Sequence, residues 1–259
     1  MRKLLLSTVF AILTCFSIYG QKTVKQGAVA VTLLRDHETV TIESQHNAYS
    51  VIFAVDYQNP EVALAYLDKE NVNEVGFTRP GSFTVQNAPK TVKVRATDYK
   101  YTGYERGHMI PNDMFDYDLD KQKDTFAVYN ISPQHPKCNA DGSAWYKIEQ
   151  QIERRAWAHG RVYVITGPIL EKEPGAYSTI SSHNIVVPEK YYKILISYNT
   201  DEDVKDFEQI EVYEFTNSKD SEKDISATLE TVGYRAEDTL SNAINYVLAT
   251  YQLKIELED

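Results

Sequence analysis

Cysteine is scarce in this chain: two among 259 residues, Cys15 and Cys138. Cys15 lies in an N-terminal apolar stretch, so removal of that stretch would leave Cys138 alone and exclude an internal disulfide. Paired cysteines and His/Cys clusters at ligand spacing are missing as well. A zinc centre on His108 and His135 would therefore want a third close ligand. No apolar run reaches the roughly 20 residues that a membrane helix needs. The chain also lacks an internal repeat, a low-complexity tract and a Pro/Gly/Ser linker, which favours one domain over an array. Basic charge is in deficit, with 27 Lys and Arg against 37 Asp and Glu, a net charge of −10. Such a balance repels polyanions at long range.

What is present begins with Arg2-Lys3, an apolar run from Leu4 to Phe16, then Ser17, Gly20 and the polar Gln21-Lys22. This is the pattern of a secretory signal over residues 1–20. It leads to the expectation of a secreted or periplasmic protein with no stable membrane association after cleavage. Residues 21–259 are then long enough for a single domain with a sizeable core. Their charge is uneven: residues 201–259 hold 16 acidic and 5 basic side chains, a net −11, so residues 21–200 are close to neutral. Within the latter, Lys90, Lys93, Arg95, Lys100 and Arg106 outnumber Asp98 and Glu105, a local basic approach to whatever lies beside them.

Residues 21–45 read as an extended, Val/Thr-rich leader to the domain. The near-continuous apolar run from Tyr49 to Val55 predicts a strand buried on both faces. Pro60 to Leu67 is compatible with a helix, Gly76 to Pro89 with a loop, and Phe126 to Ile131 with a strand that Pro133 and Pro136 end. Asp141 or Ser143 can cap a helix whose Trp145, Ile148, Ile152 and Ala156 recur at near-helical spacing, and Gly160 can close it. Arg161 to Thr166 and Tyr191 to Ser197 follow as strands, Gln209 to Phe215 as a charged edge strand, and Ser226 to Leu253 as a helical pattern.

The chemistry concentrates between Tyr104 and Glu149. In Tyr104-Glu105-Arg106-Gly107-His108 the histidine can accept a proton near neutral pH, which predicts activity rising through its ordinary pKa of about 6.5. Thirty-one residues on stands Asn139, a neutral oxygen donor suited to a hard, hydrated cation, and ten further on comes Glu149. One helical turn would place that carboxylate near the cation's waters. His135 stands on the Pro-bounded loop before Asn139. The 19 tyrosines and Trp145 read as packing.

These residues, with Asn130-Ile131-Ser132-Pro133-Gln134, Val162 to Ile169 and Val187-Pro188-Glu189-Lys190-Tyr191-Tyr192-Lys193, resemble the DNA/RNA non-specific endonuclease family over about residues 45–215. That family usually has Asp-Arg-Gly-His, then an Asn in a stretch leading through a Trp to a helical Glu. The resemblance implies an α+β fold, a central antiparallel sheet flanked by helices with a ββα-metal active-site core. It implies an endonuclease that cuts DNA and RNA through the phosphate backbone with little sequence selectivity. His108 would be the general base, with Arg106 beside it. Asn139 would hold Mg²⁺, with Mn²⁺ or another divalent cation as alternatives, and Glu149 would act on the ion through water. Arg106, Arg154 and Lys100 would meet substrate phosphates, and Glu105 and Trp145 would support the site structurally. A homodimer or an inhibitor protein is a further expected partner. Departures accompany the match. Glu105 stands for Asp, two extra residues separate Asn139 from Trp145, Glu153 stands where an arginine is expected, and Asn59 where a more N-terminal one is. The last two leave open an alternative, a catalytically impaired module that binds nucleic acid.

Overall fold

The computed structural model describes residues 20–72, 76–200, 206–219 and 249–257. The signal pattern and the helical pattern from 226 to 248 lie outside the described residues. The described residues open with a hairpin, β1 (Lys22–Gln26) and β2 (Val29–Leu33), turned at Gly27 with φ 54°. Next come β3 (Thr39–Glu43), β4 (Tyr49–Ala54) and β5 (Asn59–Asp68), each antiparallel to its neighbour. A long irregular stretch leads to β6 (Glu105–His108), the short helix α1 (Leu119–Asp124) and β7 (Ile131–Gln134). Helices α2 (Pro136–Asn139) and α3 (Ala144–His159) precede β8 (Gly160–Pro168). The two-residue strands β9 (Thr179–Ile180) and β10 (Ile185–Val186) lead into β11 (Lys190–Asn199) and β12 (Asp206–Thr216). The last strand described is β13 (Leu253–Leu257).

A six-stranded antiparallel sheet, in the order β12-β11-β8-β5-β4-β3, divides the molecule into two cores. Side chains alternate along each strand, so successive residues serve opposite layers. Ile52, Val62, Leu64, Ile165 and Ile194 face the small sheet β1-β2-β13. Phe53, Ala63, Ala65, Val164 and Leu195 face α3 and the β6–β7 ribbon. Fully burying one such aliphatic side chain stabilises by roughly 1.5–3 kcal/mol, which is why the strands in the middle read as unbroken apolar runs.

Three expectations are corrected. Pro60 to Leu67 is not helical but lies in β5, in the middle of the sheet, because β4 and β8 claim both its edges and Val62 to Ala65 are fully buried. Pro60 is accommodated where the β4–β5 register shifts. Residues 126–131 do not form a strand: Val128–Asn130 is a 3-10 turn, and the strand begins at Ile131 and contains Pro133. β7 pairs with β6 alone, so it has an open edge on which a proline's missing N–H removes no ladder bond. Leu253 opens β13 rather than ending a helix.

Helix α3 follows its sequence signals. The Ser143 side chain accepts from the Tyr146 N–H, and Gly160 closes the helix at φ 98°. Trp145, Ile152 and Ala156 are buried against the sheet, which fixes where the next turn's Glu149 emerges. β12 is an edge strand as expected.

Candidate active site

His108 ends β6, opposite Ile131 of β7. The chain just beyond it is pinned by the fully buried Asn130. Its Oδ1 accepts from the Ile110 N–H at 3.0 Å, and its Nδ2 donates to the Ile110 and Thr125 carbonyls, both at 2.9 Å. Its own carbonyl accepts from the Met109 N–H. The sequence shows Asn130 only as the first residue of the Asn130-Ile131-Ser132-Pro133-Gln134 motif and gives it no role of its own. Asn130→Ala would strand three buried polar groups, and unfolding in urea should show a loss of about 2–4 kcal/mol. A loss below about 0.5 kcal/mol, within the range of an indifferent surface change, would contradict this clamp. Gly107 is required by close approach: a Cβ there would overlap the buried Gln134 side chain.

The His108 ring is 8% exposed and packs between Phe83 and Phe126, with centroids 5.2 and 4.9 Å away. Arg106 lies over Phe83 at 4.8 Å and Arg79 over Phe126 at 5.5 Å. Burial, with the Arg79 and Arg106 charges adding to it, lowers the His108 pKa to about 3. Its Nε2 is buried without a hydrogen-bond partner. The imidazole is therefore neutral through the physiological range, with a free nitrogen. This moves the expected pH dependence. The kcat/KM of the free protein should be level from about pH 5 to about pH 8 and fall only toward the lowered pKa. A rise centred near the ordinary histidine pKa of about 6.5 would contradict the lowered pKa of His108.

Lys100, Glu105, Arg106 and Asn139 line one cavity of about 360 Å³ together with Arg79, Phe83, Tyr99 and Tyr104. Glu105 does not pair with Arg106. Its Oε2 accepts from Asn139 Nδ2 at 2.8 Å, which turns the asparagine's Oδ1 away from the carboxylate. Arg79 was missed from sequence because no motif surrounds it. Asn59, read as the replacement for a phosphate-binding arginine, is instead wholly buried: it donates to the Tyr57 and Val186 carbonyls and accepts from Ser132 Oγ. It anchors β7 to the sheet.

Glu149 and Arg154 fall outside that cavity. They line another of about 250 Å³ with Pro111, Asp113, Tyr146 and Glu153, which shares no lining residue with the first. Glu149 Oε1 is 3.3 Å from Nζ of Lys193, a lysine with no exposed side-chain surface whose ammonium also lies 3.9 Å from the Trp145 ring centroid. Burial raises the Glu149 pKa and lowers that of Lys193, while each charge offsets the shift of the other. Trp145 packs edge-on against Tyr191 and Phe215 and is core. Cys138 is buried beside Asn139. Among the described residues no three His, Cys, Asp or Glu side chains converge as a metal cage. A metal here would take few protein oxygens and mostly water, which the neutral Asn139 oxygen fits.

A family model described as DNA/RNA non-specific endonuclease matches residues 34–246. The chain belongs to the DNA/RNA non-specific endonuclease family. Among its relatives, mitochondrial Endonuclease G of Homo sapiens is 31% identical over 111 residues, covering 39% of this chain and 37% of that one. Mitochondrial Nuclease 1 of Schizosaccharomyces pombe is 26% identical over 170 residues, covering 61% and 52%. The chain thus spans between a third and about half of the length of these curated relatives. Its fold is similar to that in the crystal structure of an EndoG/EndoGI complex, with a TM-score of 0.60 at 21% identity over 84% of each chain. The α+β architecture implied by the resemblance holds, with β6, β7 and α3 as the ββα unit. Members of this endonuclease family are generally divalent-metal dependent. The expected secreted or periplasmic location is corrected: the relatives that the chain matches are named mitochondrial nucleases. A short basic and apolar leader resembles several kinds of targeting segment and does not by itself name the compartment.

Proposed function

We propose that this chain is an endonuclease that hydrolyses phosphodiester bonds of DNA and RNA, with residues 1–20 as a leader and 21–259 as one nuclease domain. The observation that carries this reading is a cavity that gathers Arg79, Lys100, Arg106 and Asn139, with the buried His108 ring packed against Phe83 in its wall. Guanidinium forks suit phosphate oxygens and can hold the scissile group without contacting base edges. His108 Nε2 takes the proton of a water as that water's oxygen attacks phosphorus in line, and the leaving 3′ oxygen receives a proton from solvent, giving 5′-phosphate and 3′-hydroxyl ends. Asn139 would hold Mg²⁺, or Mn²⁺ in its place, and Glu149 would act on it through water. When bound, such an ion supplies positive charge to the phosphate and the leaving oxygen. Glu105 orients Asn139, and Arg154 would meet the substrate beyond the cavity. Arg79 weighs against the alternative of an impaired binding module, since it provides a cation where Asn59 does not. A homodimer or an inhibitor protein remains a proposed partner. Mapping cut positions on a long mixed-sequence substrate tests the reading: breaks should be spread across sequence contexts, and cutting confined to one recurrent motif would overturn backbone recognition.

A further inference from the structure

Tyr101 is wholly exposed, unlike every other large aromatic among the described residues. It is also the one aromatic among their seven non-glycine residues with positive φ, at 63°. Side chains rarely adopt that conformation, so the position combines an uncovered ring with a strained backbone. The loop is nevertheless fixed. Thr102 Oγ1 donates to the Tyr99 carbonyl at 2.9 Å and accepts from the Tyr104 N–H at 3.2 Å, and the Tyr99 side chain is buried in the core. On the other side, Asp98 accepts from the Arg95 N–H at 2.7 Å and lies 2.9 Å from His183 Nδ1. Among the described residues nothing covers the ring, while hydrogen bonds on both sides of it tie the loop down. Its chain neighbour Lys100, and Tyr104 and Arg106 just beyond, line the cationic cavity.

Resting on the nuclease reading, we infer that Tyr101 stacks on an unpaired nucleobase next to the phosphate held by that cavity, so that the chain favours single-stranded segments. The charge of the cavity selects a phosphodiester, and a flat ring next in the chain to Lys100 of its wall matches the π-face that every base carries. A base inside a duplex has its faces covered by its neighbours, so only an unpaired nucleotide presents one. The stacking is therefore indifferent to sequence but not to strandedness.

Fluorescence anisotropy with Mg²⁺, in the full-length His108→Ala background so that substrate survives, tests this with three probes. They are a short oligodeoxythymidylate, an abasic strand of equal length, and a duplex. Adding Tyr101→Gly should weaken binding of the oligodeoxythymidylate about 5- to 100-fold, change the other two by less than about two-fold, and leave the thermal midpoint unchanged or raised because glycine relieves the positive φ. Tyr101→Phe should bind as the parent does. An unchanged affinity for oligodeoxythymidylate in the glycine variant would overturn the stacking role, as would an equal loss on the abasic strand. With cutting by the otherwise native chain intact, those results leave the nuclease reading standing. Absence of binding to all three probes by the parent, together with absence of cutting by the native chain, would overturn both.

Discussion

Replacing His108 with alanine is expected to lower phosphodiester cleavage by about two to four orders of magnitude, the usual contribution of a positioned general acid or base. The fold should persist, because the variant removes a ring whose Nε2 has no partner and leaves the Asn130 clamp beneath it untouched. Single-turnover cleavage measures the first part and circular dichroism with thermal unfolding the second. Phe83 and Phe126 would lose contacts to the ring, so a modest fall in midpoint is compatible with the account. Near-native turnover, with contaminating nuclease excluded, would remove His108 from the mechanism.

Asn139→Ala should be the next most damaging change, and more damaging than loss of Glu149. The first deletes the proposed direct oxygen donor. The second deletes a group acting through water, for which losses of about 10- to 100-fold are typical. Raising Mg²⁺ should rescue the Glu149 variant further than the Asn139 variant, and the reverse ranking would show that the two roles are exchanged. The choice of substitution matters at Glu149. Its carboxylate faces the buried Lys193 ammonium, so alanine would strand a charge, and breaking a buried pair costs about 3–5 kcal/mol. Glu149→Gln keeps the shape and an oxygen beside Lys193, so metal titrations should use it. Binding of Mn²⁺ followed by calorimetry gives a readout independent of turnover: Asn139→Ala should weaken it more.

Much of this architecture was legible where one local rule governs. Ser143 and Gly160 bound α3 because capping depends on a few adjacent residues. The β4 run was readable because burial on both faces demands unbroken apolar sequence. Pro60 to Leu67 was misread because its helical compatibility is a weak preference that pairing to β4 and β8 overrides. Motif order singled out His108, Asn139 and Glu149 as candidates, and the structure puts Asn139 in one cavity and Glu149 in another, whereas nothing in the sequence singled out Arg79. It reaches the cavity from a loop with no regular structure, and sequence alone does not say where such a loop returns. The buried state of His108 was hidden for the same reason, since Phe83 and Phe126 meet its ring from distant segments. The acidic stretches 201–205 and 220–248 lie outside the described residues.

The most direct measurement is cleavage of supercoiled plasmid and of a long RNA by the purified chain, with Mg²⁺ and with excess chelator. The account predicts nicking and then fragmentation of both polymers with the ion and none with the chelator. Both polymers left intact by folded protein, across Mg²⁺ and Mn²⁺, would contradict it.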